Sequence, residues 1–570
     1  MTDPFPAWLL AICVLTSVLS GCGDDSSSVP GKTVSATISG IVQYEDLEYS
    51  YSGFTGNKHY KSVRYAVVDL VDLRNNIVDT TVTDEQGAYT LAGQGINLYV
   101  RVMSMTTAAA GSVIEVSNYS GAVYAARQNV EEDGEVKLDF NISYQDRLAG
   151  AFNILDVYTN ASLFVGEVST KPLPALKVHW EVASSQYGTY FCQTNYVGGA
   201  CPQGKGIYLL GGSSSGGDTD EYDDDVLYHE YGHYLEATYG AQDSPGGRHY
   251  LTDNDSDLRL AWSEGLGGFF PGAVKSWLKE NNPERLSTYD SNISTYFVDT
   301  VGSTAAISID MANPSRMFCL WGMDCFVYSS SEVAVAKVLH KLRETFGMQA
   351  VWSVFSGYLP SGTVHASTLE SFWDGWIQQR SPDAQELSLL HTIFEDRLIY
   401  YQSDDYESDN DHANTRKMTV CDSESCAGEL HYLYNQNSKD VDLISFDAQN
   451  GKSYLIETLD LSNGADTYIR VLDAMQNTVI DQNGQTMVNN DRPGTVYCYN
   501  YDNPCRIHND DSMLSSSLAF TPSQSATYYV EVKTSPSKPA AAGRYGTYTL
   551  RILEQQASLF FSVKSLSKNY

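Results

Sequence analysis

The chain has 570 residues, 42% of them hydrophobic and 12% aromatic. That is too long for one hydrophobic core and too apolar for wholesale disorder, so about three or four globular domains are expected. With 70 Asp and Glu against 36 Lys and Arg the net charge is −34, which argues against nucleic acid as a partner because phosphate binding needs clustered cations.

At the N-terminus, the mostly apolar run 7–19 is too short to span a bilayer but suits the core of a signal peptide. It ends in Leu19-Ser20-Gly21-Cys22, with Asp3 and no Lys or Arg ahead of it. The ending resembles the lipobox of bacterial lipoproteins. That resemblance implies a signal peptide over 1–22, lipidation of Cys22, and an exported outer-membrane or cell-surface lipoprotein that touches the membrane only through its lipid. A plain secretory signal with a coincidental cysteine is the alternative, and it also gives an exported, secreted protein. Residues 23–36, rich in Ser, Asp and Gly, read as a tether.

Segment 37–145 is strand-like, with alternating runs such as 64–71 and 98–102 separated by turns such as Glu85-Gln86-Gly87. Its Thr83-Asp84-Glu85-Gln86-Gly87-Ala88-Tyr89 resembles the hairpin of the transthyretin-like, carboxypeptidase regulatory-like β-sandwich. From 146 to 402 the period turns helical, at 148–158, 225–239, 258–277, 332–346 and 384–400. The acidic run that opens 403–417 reads as a linker.

Strand character returns over 418–553, leaving 554–570 as a tail. The segments Asp442-Leu-Ile-Ser-Phe446, Gly464-Ala-Asp-Thr467, Asn509-Asp-Asp511 and Tyr528-Tyr-Val-Glu-Val532 resemble the bacterial pre-peptidase C-terminal domain, a β-sandwich appended to secreted peptidases. A carbohydrate-binding or adhesion sandwich is the alternative. The acidic loops 463–466 and 509–511 are of a composition that can hold Ca²⁺, though such residues also make turns.

Once Cys13 and Cys22 are set aside, eight cysteines fall in four close pairs: Cys192 with Cys201, Cys319 with Cys325, Cys421 with Cys426, and Cys498 with Cys505. The clustering favours four short disulfide loops formed in an oxidising compartment. A cysteine zinc site competes poorly, because no pair has two-residue spacing.

The chemistry concentrates in His229-Glu230-Tyr231-Gly232-His233. On a helix, residues four apart share a face, so both imidazoles can bind one Zn²⁺ with Glu230 beside the activated water as general base. Three protein ligands are needed. Downstream, Trp262-Ser263-Glu264-Gly265 resembles the wording around the third ligand of gluzincins such as thermolysin and fungalysin, which implies Glu264 as that ligand. His249 is the competitor; a metzincin is excluded because Glu236 and Tyr239 replace its Gly and last His. Gly268 stands where thermolysin and fungalysin carry an Asp that orients a zinc histidine, so Asp224 or Asp225 are candidates for that support. For the oxyanion donor Tyr328 is taken first, with His340 and Tyr296 behind it.

The expected architecture is therefore multidomain, with an α+β zincin-type catalytic domain flanked by two β-sandwiches. The expected function is an exported zinc metallopeptidase acting on protein or peptide substrates. An inactive surface adhesin on the same scaffold, or a zinc hydrolase of non-peptide substrates, are the alternatives.

Overall fold

The computed structural model describes residues 32–555, apart from 194–200, 213–217, 255, 289, 291, 303, 315–316, 319–323, 362–365, 435–439, 491–513 and 536–543. Cys22 and its signal segment, the loop 509–511 and most of the tail lie outside the described residues. The molecule is a multidomain, mixed α and β structure with several sheets. Among the described residues no helix is long and apolar enough to cross a membrane.

Of the four expected disulfides, two are present among the described residues, Cys192–Cys201 and Cys421–Cys426. The pairing expected between Cys319 and Cys325 is not among them. Cys319 lies outside the described residues, and Cys325 is described only through its backbone, which pairs with Met317 in a two-residue strand. The pairing expected between Cys498 and Cys505 is likewise not among them, since Cys498 and Cys505 both lie outside the described residues.

The first strand, β1 (Thr33–Ser50), organises one sheet by itself. Its first half pairs with Ala88–Ile96 and Gly134–Lys137, and its second half with Gly53–Ser62 and Phe140–Ile142. Val34, Ala36, Ile38, Val42 and Tyr44 point alternately inward and are buried, which is the period of a half-buried strand. The strand thus starts inside the segment read as a tether: residues 33–36 carry the same alternation and are claimed by the sheet.

The second sheet crosses the boundary drawn at residue 145. Strand Ile114–Ser117 pairs in parallel with Leu176–Trp180, which pairs in parallel with Gly206–Leu209. The short strand Tyr190–Cys192 closes that edge, antiparallel. Across this sheet packs α1 (Ala149–Val168), buried on nearly every side. Because a helix sunk that deep carries polar groups inward, they must be paired. Arg64 Nη2 lies 2.6 Å from Asp156, and Tyr44 donates to Asp156 and Asn153. One hydrophobic cluster therefore runs continuously from Val34 through the helices to Tyr401 and on to Tyr545 in the C-terminal region.

Four more helices frame the middle of the chain: α2 (Asp224–Tyr239), α3 (Leu258–Asn281), α4 (Glu332–Phe346) and, further on, Leu369–Arg380. The helix expected over 384–400 stops at Glu395, since Leu398 takes a left-handed backbone (φ 57°) that ends helical hydrogen bonding. α2 begins with three buried aspartates, each committed to the frame. Asp223 accepts from the Thr300 backbone N–H and Asp224 from Asn153, while Asp225 pairs with buried Lys275 at 2.7 Å.

The C-terminal region folds as a five-stranded and a four-stranded sheet around their own core, which includes Phe446, Tyr454, Phe520 and Tyr528. The acidic run at 403–411 is no free linker. Asp409 is 1% exposed, and Arg416–Lys417 already pairs with Asp442–Ala448. Asn463 clasps the two parts together, accepting from the Ser329 N–H at 3.1 Å and donating to the Leu398 carbonyl at 2.9 Å.

Candidate active site

His229, Glu230 and His233 sit on α2, and Glu264 sits nearly two turns into the neighbouring α3. The two helices can cross so closely because glycines meet. A Cβ on Gly232 would lie 3.0 Å from the Gly267 Cα, and one on Gly267 would lie 2.8 Å from His229 Cε1. Any side chain at 267 would push the His229 ring aside. The Gly-rich wording after Glu264 thus makes room for an imidazole.

In the resulting gap three ligand-type atoms converge. His229 Nε2 lies 3.2 Å from Glu264 Oε2, His233 Nε2 lies 3.4 Å from the same oxygen, and the two Nε2 atoms are 3.1 Å apart. A tetrahedral zinc with bonds of about 2.0–2.2 Å places its ligand atoms about 3.3–3.6 Å apart, so the donor set fits the ion. Electrostatics agree that the cluster wants positive charge. Burial alone would raise Glu264 and lower His233. Their mutual attraction reverses both, holding Glu264 well below the usual carboxylate value and lifting His233 to about 10.

Glu230 is 6% exposed and one of its oxygens, Oε2, has no hydrogen-bond partner. Burial raises its carboxyl above the ordinary value, opposed by the two histidines and by the Phe191 backbone N–H. That N–H belongs to the edge strand Tyr190–Cys192, which the Cys192–Cys201 disulfide ties down. Phe297 packs against His229 with ring centroids 5.9 Å apart.

Support for His233 comes from a pair of residues that sequence reasoning passed over. Ser263 Oγ lies 3.2 Å from His233 Nδ1 and donates to Glu236 Oε2 at 2.6 Å. Glu236 is 1% exposed, and burial pushes its carboxyl up to about 7. Asp224 and Asp225, the sequence candidates for this role, are turned away at the start of α2 and engaged by Asn153 and Lys275. The signal was present in the sequence: Glu236 falls one turn after His233, and Ser263 immediately precedes Glu264.

Of the remaining candidates, His249 reaches the site, with Nε2 3.5 Å from Glu264 Oε2 and 3.6 Å from Glu332 Oε2. Tyr328 is half-buried in the turn before α4, with a left-handed backbone (φ 71°) and its N–H on the Arg397 carbonyl. Its neighbours Val327 and Ser330 are tied to Asn254. His340 is buried farther along α4 beside Glu344, and the Tyr296 ring packs on Tyr51. His249 and Glu332 are thus further groups that converge with Glu264.

A separate cluster lies in the C-terminal region. Glu407, Asp440 and Asp442 bring carboxylate oxygens together, and Asp404 and Asp442 do so with a ring nitrogen of His431. Both oxygens of buried Asp409 lack a hydrogen-bond partner. The described disulfide here is Cys421–Cys426.

No family model matches the chain. No curated protein matches it. Among solved structures it is similar to the pre-peptidase C-terminal domain of a collagenase from Bacillus anthracis, at 12% identity and a TM-score of 0.15, over 24% of this chain and 92% of that one.

Proposed function

We propose that this chain is an exported zinc-dependent peptidase of the gluzincin kind, with His229, His233 and Glu264 as the metal's ligands and Glu230 as the general base. The observation that carries the reading is the convergence of His229 Nε2, His233 Nε2 and Glu264 Oε2 to within 3.1–3.4 Å of one another. Zinc bound there supplies Lewis acidity, polarising a peptide carbonyl and making water a nucleophile near neutral pH.

The protein's own groups do the rest. Glu230, adjacent to His229 on α2, takes the proton from the attacking water, and its raised affinity for protons lets it hand that proton to the departing amine. Ser263 and Glu236 hold the His233 ring in one orientation, while Gly267 leaves space for His229. The pinned edge strand at Phe191 offers backbone beside Glu230, where an extended peptide can lie.

With this reading go the others made from the sequence. They are export through the N-terminal signal, an anchor at Cys22, a peptidase-associated sandwich of the pre-peptidase C-terminal kind over 418–553, and a protein or peptide partner. The calcium reading attaches to Glu407, Asp440 and Asp442, whose oxygens converge, and away from the 463–466 loop, whose Asn463 side chain is spent on the clasp.

The test is hydrolysis of casein and of a peptide library by wild type and by Glu230→Gln. The variant is expected to keep its zinc and lose about 10²- to 10⁴-fold in turnover. Equal activity in both proteins would remove Glu230 from the mechanism. Cleavage of no peptide by the zinc-loaded wild type would favour the adhesin or non-peptide alternatives.

A further inference from the structure

We propose that a second divalent cation binds beside the first, held by His249 Nε2, Glu332 and the shared carboxylate of Glu264. This rests on the reading of Glu264 as a zinc ligand.

The argument begins with the loop 244–250. Gly246 and Gly247 take backbone angles (φ 61° and 112°) that side-chain-bearing residues rarely adopt, and the turn they make brings His249 in toward α3. There His249 Nδ1 lies 3.1 Å from the Gly247 carbonyl. A carbonyl can only accept, so Nδ1 carries the hydrogen and Nε2 is the nitrogen left for a cation to take. Backbone fixation of one ring nitrogen is the usual way a metal-binding histidine is oriented.

That nitrogen faces two carboxylate oxygens. Glu264 Oε2 is 3.5 Å away and Glu332 Oε2 is 3.6 Å away, and the three atoms all lie within 4.8 Å of one another. The two distances from His249 match ligand atoms around one ion with bonds of about 2.1–2.2 Å, and the two carboxylates lie within reach of the same ion. Glu332 supplies an independent observation. It is 5% exposed at the first turn of α4, and its Oε2 has no hydrogen-bond partner. A buried carboxylate oxygen left without a donor is costly unless a cation meets it.

The ligand set is one imidazole and two carboxylates, which suits Zn²⁺ or Mn²⁺ over the soft ions that thiolates select. The His249 side chain is 30% exposed, so the second position opens to solvent and can exchange its ion. Glu264 would bridge the two ions, and the second would add positive charge on the side of the site facing α4.

The experiment is zinc stoichiometry by mass spectrometry on the full mature chain, stripped with chelator and re-equilibrated with Zn²⁺. Excess Ca²⁺ is kept present to fill the C-terminal carboxylates. Wild type is expected to hold about two zinc ions per chain, with about one in Glu332→Gln and one in His249→Ala. The His249 variant changes a loop residue and guards against a folding failure of the buried Glu332 change. One zinc in wild type, unchanged by either variant and lost with His229→Ala, would overturn the second site and leave the peptidase reading standing. Zinc content indifferent to His229→Ala and His233→Ala would instead sink the peptidase reading itself.

Discussion

Around His233 the roles of single atoms can be separated. Ser263 Oγ stands between His233 Nδ1 and Glu236 Oε2, with its hydrogen directed to the carboxylate at 2.6 Å. Ser263→Ala removes that bridge and leaves Glu236 buried without its donor. Zinc affinity is expected to fall by about 10–100-fold, the usual effect of losing an outer-shell partner, measured by competition with a chromophoric chelator. Gly267→Ala makes a sharper demand. Alanine is the better helix former, yet its methyl would sit 2.8 Å from His229 Cε1. The variant should fold, by circular dichroism, while losing zinc; retention of full zinc affinity would show that His229 has room to spare.

The legible part at this scale was the pair of histidines four apart and, through its Trp-Ser-Glu-Gly wording, Glu264. The Ser263–Glu236 support was marked only by position, one turn after His233 and next to Glu264. Its chemistry depends on how α2 and α3 cross, and spacing alone is a weak mark in so acidic a chain. From the sequence His249 is a rival to Glu264 or a residue that lines the cleft and binds substrate. The structure puts both at one place, 3.5 Å apart.

Among elements, the packing of α2 on α3 fixes the site, and its anchor is the Asp225–Lys275 pair, whose side chains are 0% and 1% exposed. Asp225 also takes the Val298 N–H at 2.8 Å, tying the strand that carries Phe297 to the foot of α2. Burying such a pair stabilises little in itself, but removing one partner strands a charge. Lys275→Met should cost about 3–5 kcal/mol in urea unfolding, and a loss under about 1 kcal/mol would contradict the account. Helices α2, α3 and α4 followed from their 3.6-residue pattern with ends nearly in place. The short parallel pairing of Ile114–Ser117 with Leu176–Trp180 did not, since it joins segments on either side of an intervening helix and leaves no local mark.

For the molecule as a whole, the sequence suggested beads on a string, and the structure shows two main cores, joined by the Asn463 clasp and by Tyr545, which packs into the first. The first sandwich shares its core with the helices, and the acidic segment at 403–411 is folded against the second. A run of Asp, Glu and Ser reads as solvated chain because its composition says nothing of a cation or of neighbours that would draw it inward. The consequence is a pH effect. Burial, then neighbouring Glu407, raises Asp440 toward about 8 and Asp409 toward about 7, from an ordinary 3.8. Carboxyls that bind protons more tightly when folded stabilise the fold at low pH, and lose that contribution as pH rises through the folded values. Without divalent ions the C-terminal region is therefore expected to melt at progressively lower temperature between about pH 4 and 8. Calcium at one hundred times its dissociation constant should restore about 2.7 kcal/mol and flatten that dependence. A calcium-independent Tm at pH 8 would argue against an ion there.

The most direct test is X-ray absorption at the zinc edge on folded protein loaded with a single equivalent of zinc. The account predicts nitrogen and oxygen neighbours at about 2.0–2.1 Å, two of them imidazoles, with that signature lost in His229→Ala and Glu264→Ala. A zinc shell dominated by sulfur, or one unchanged by those substitutions, would contradict it.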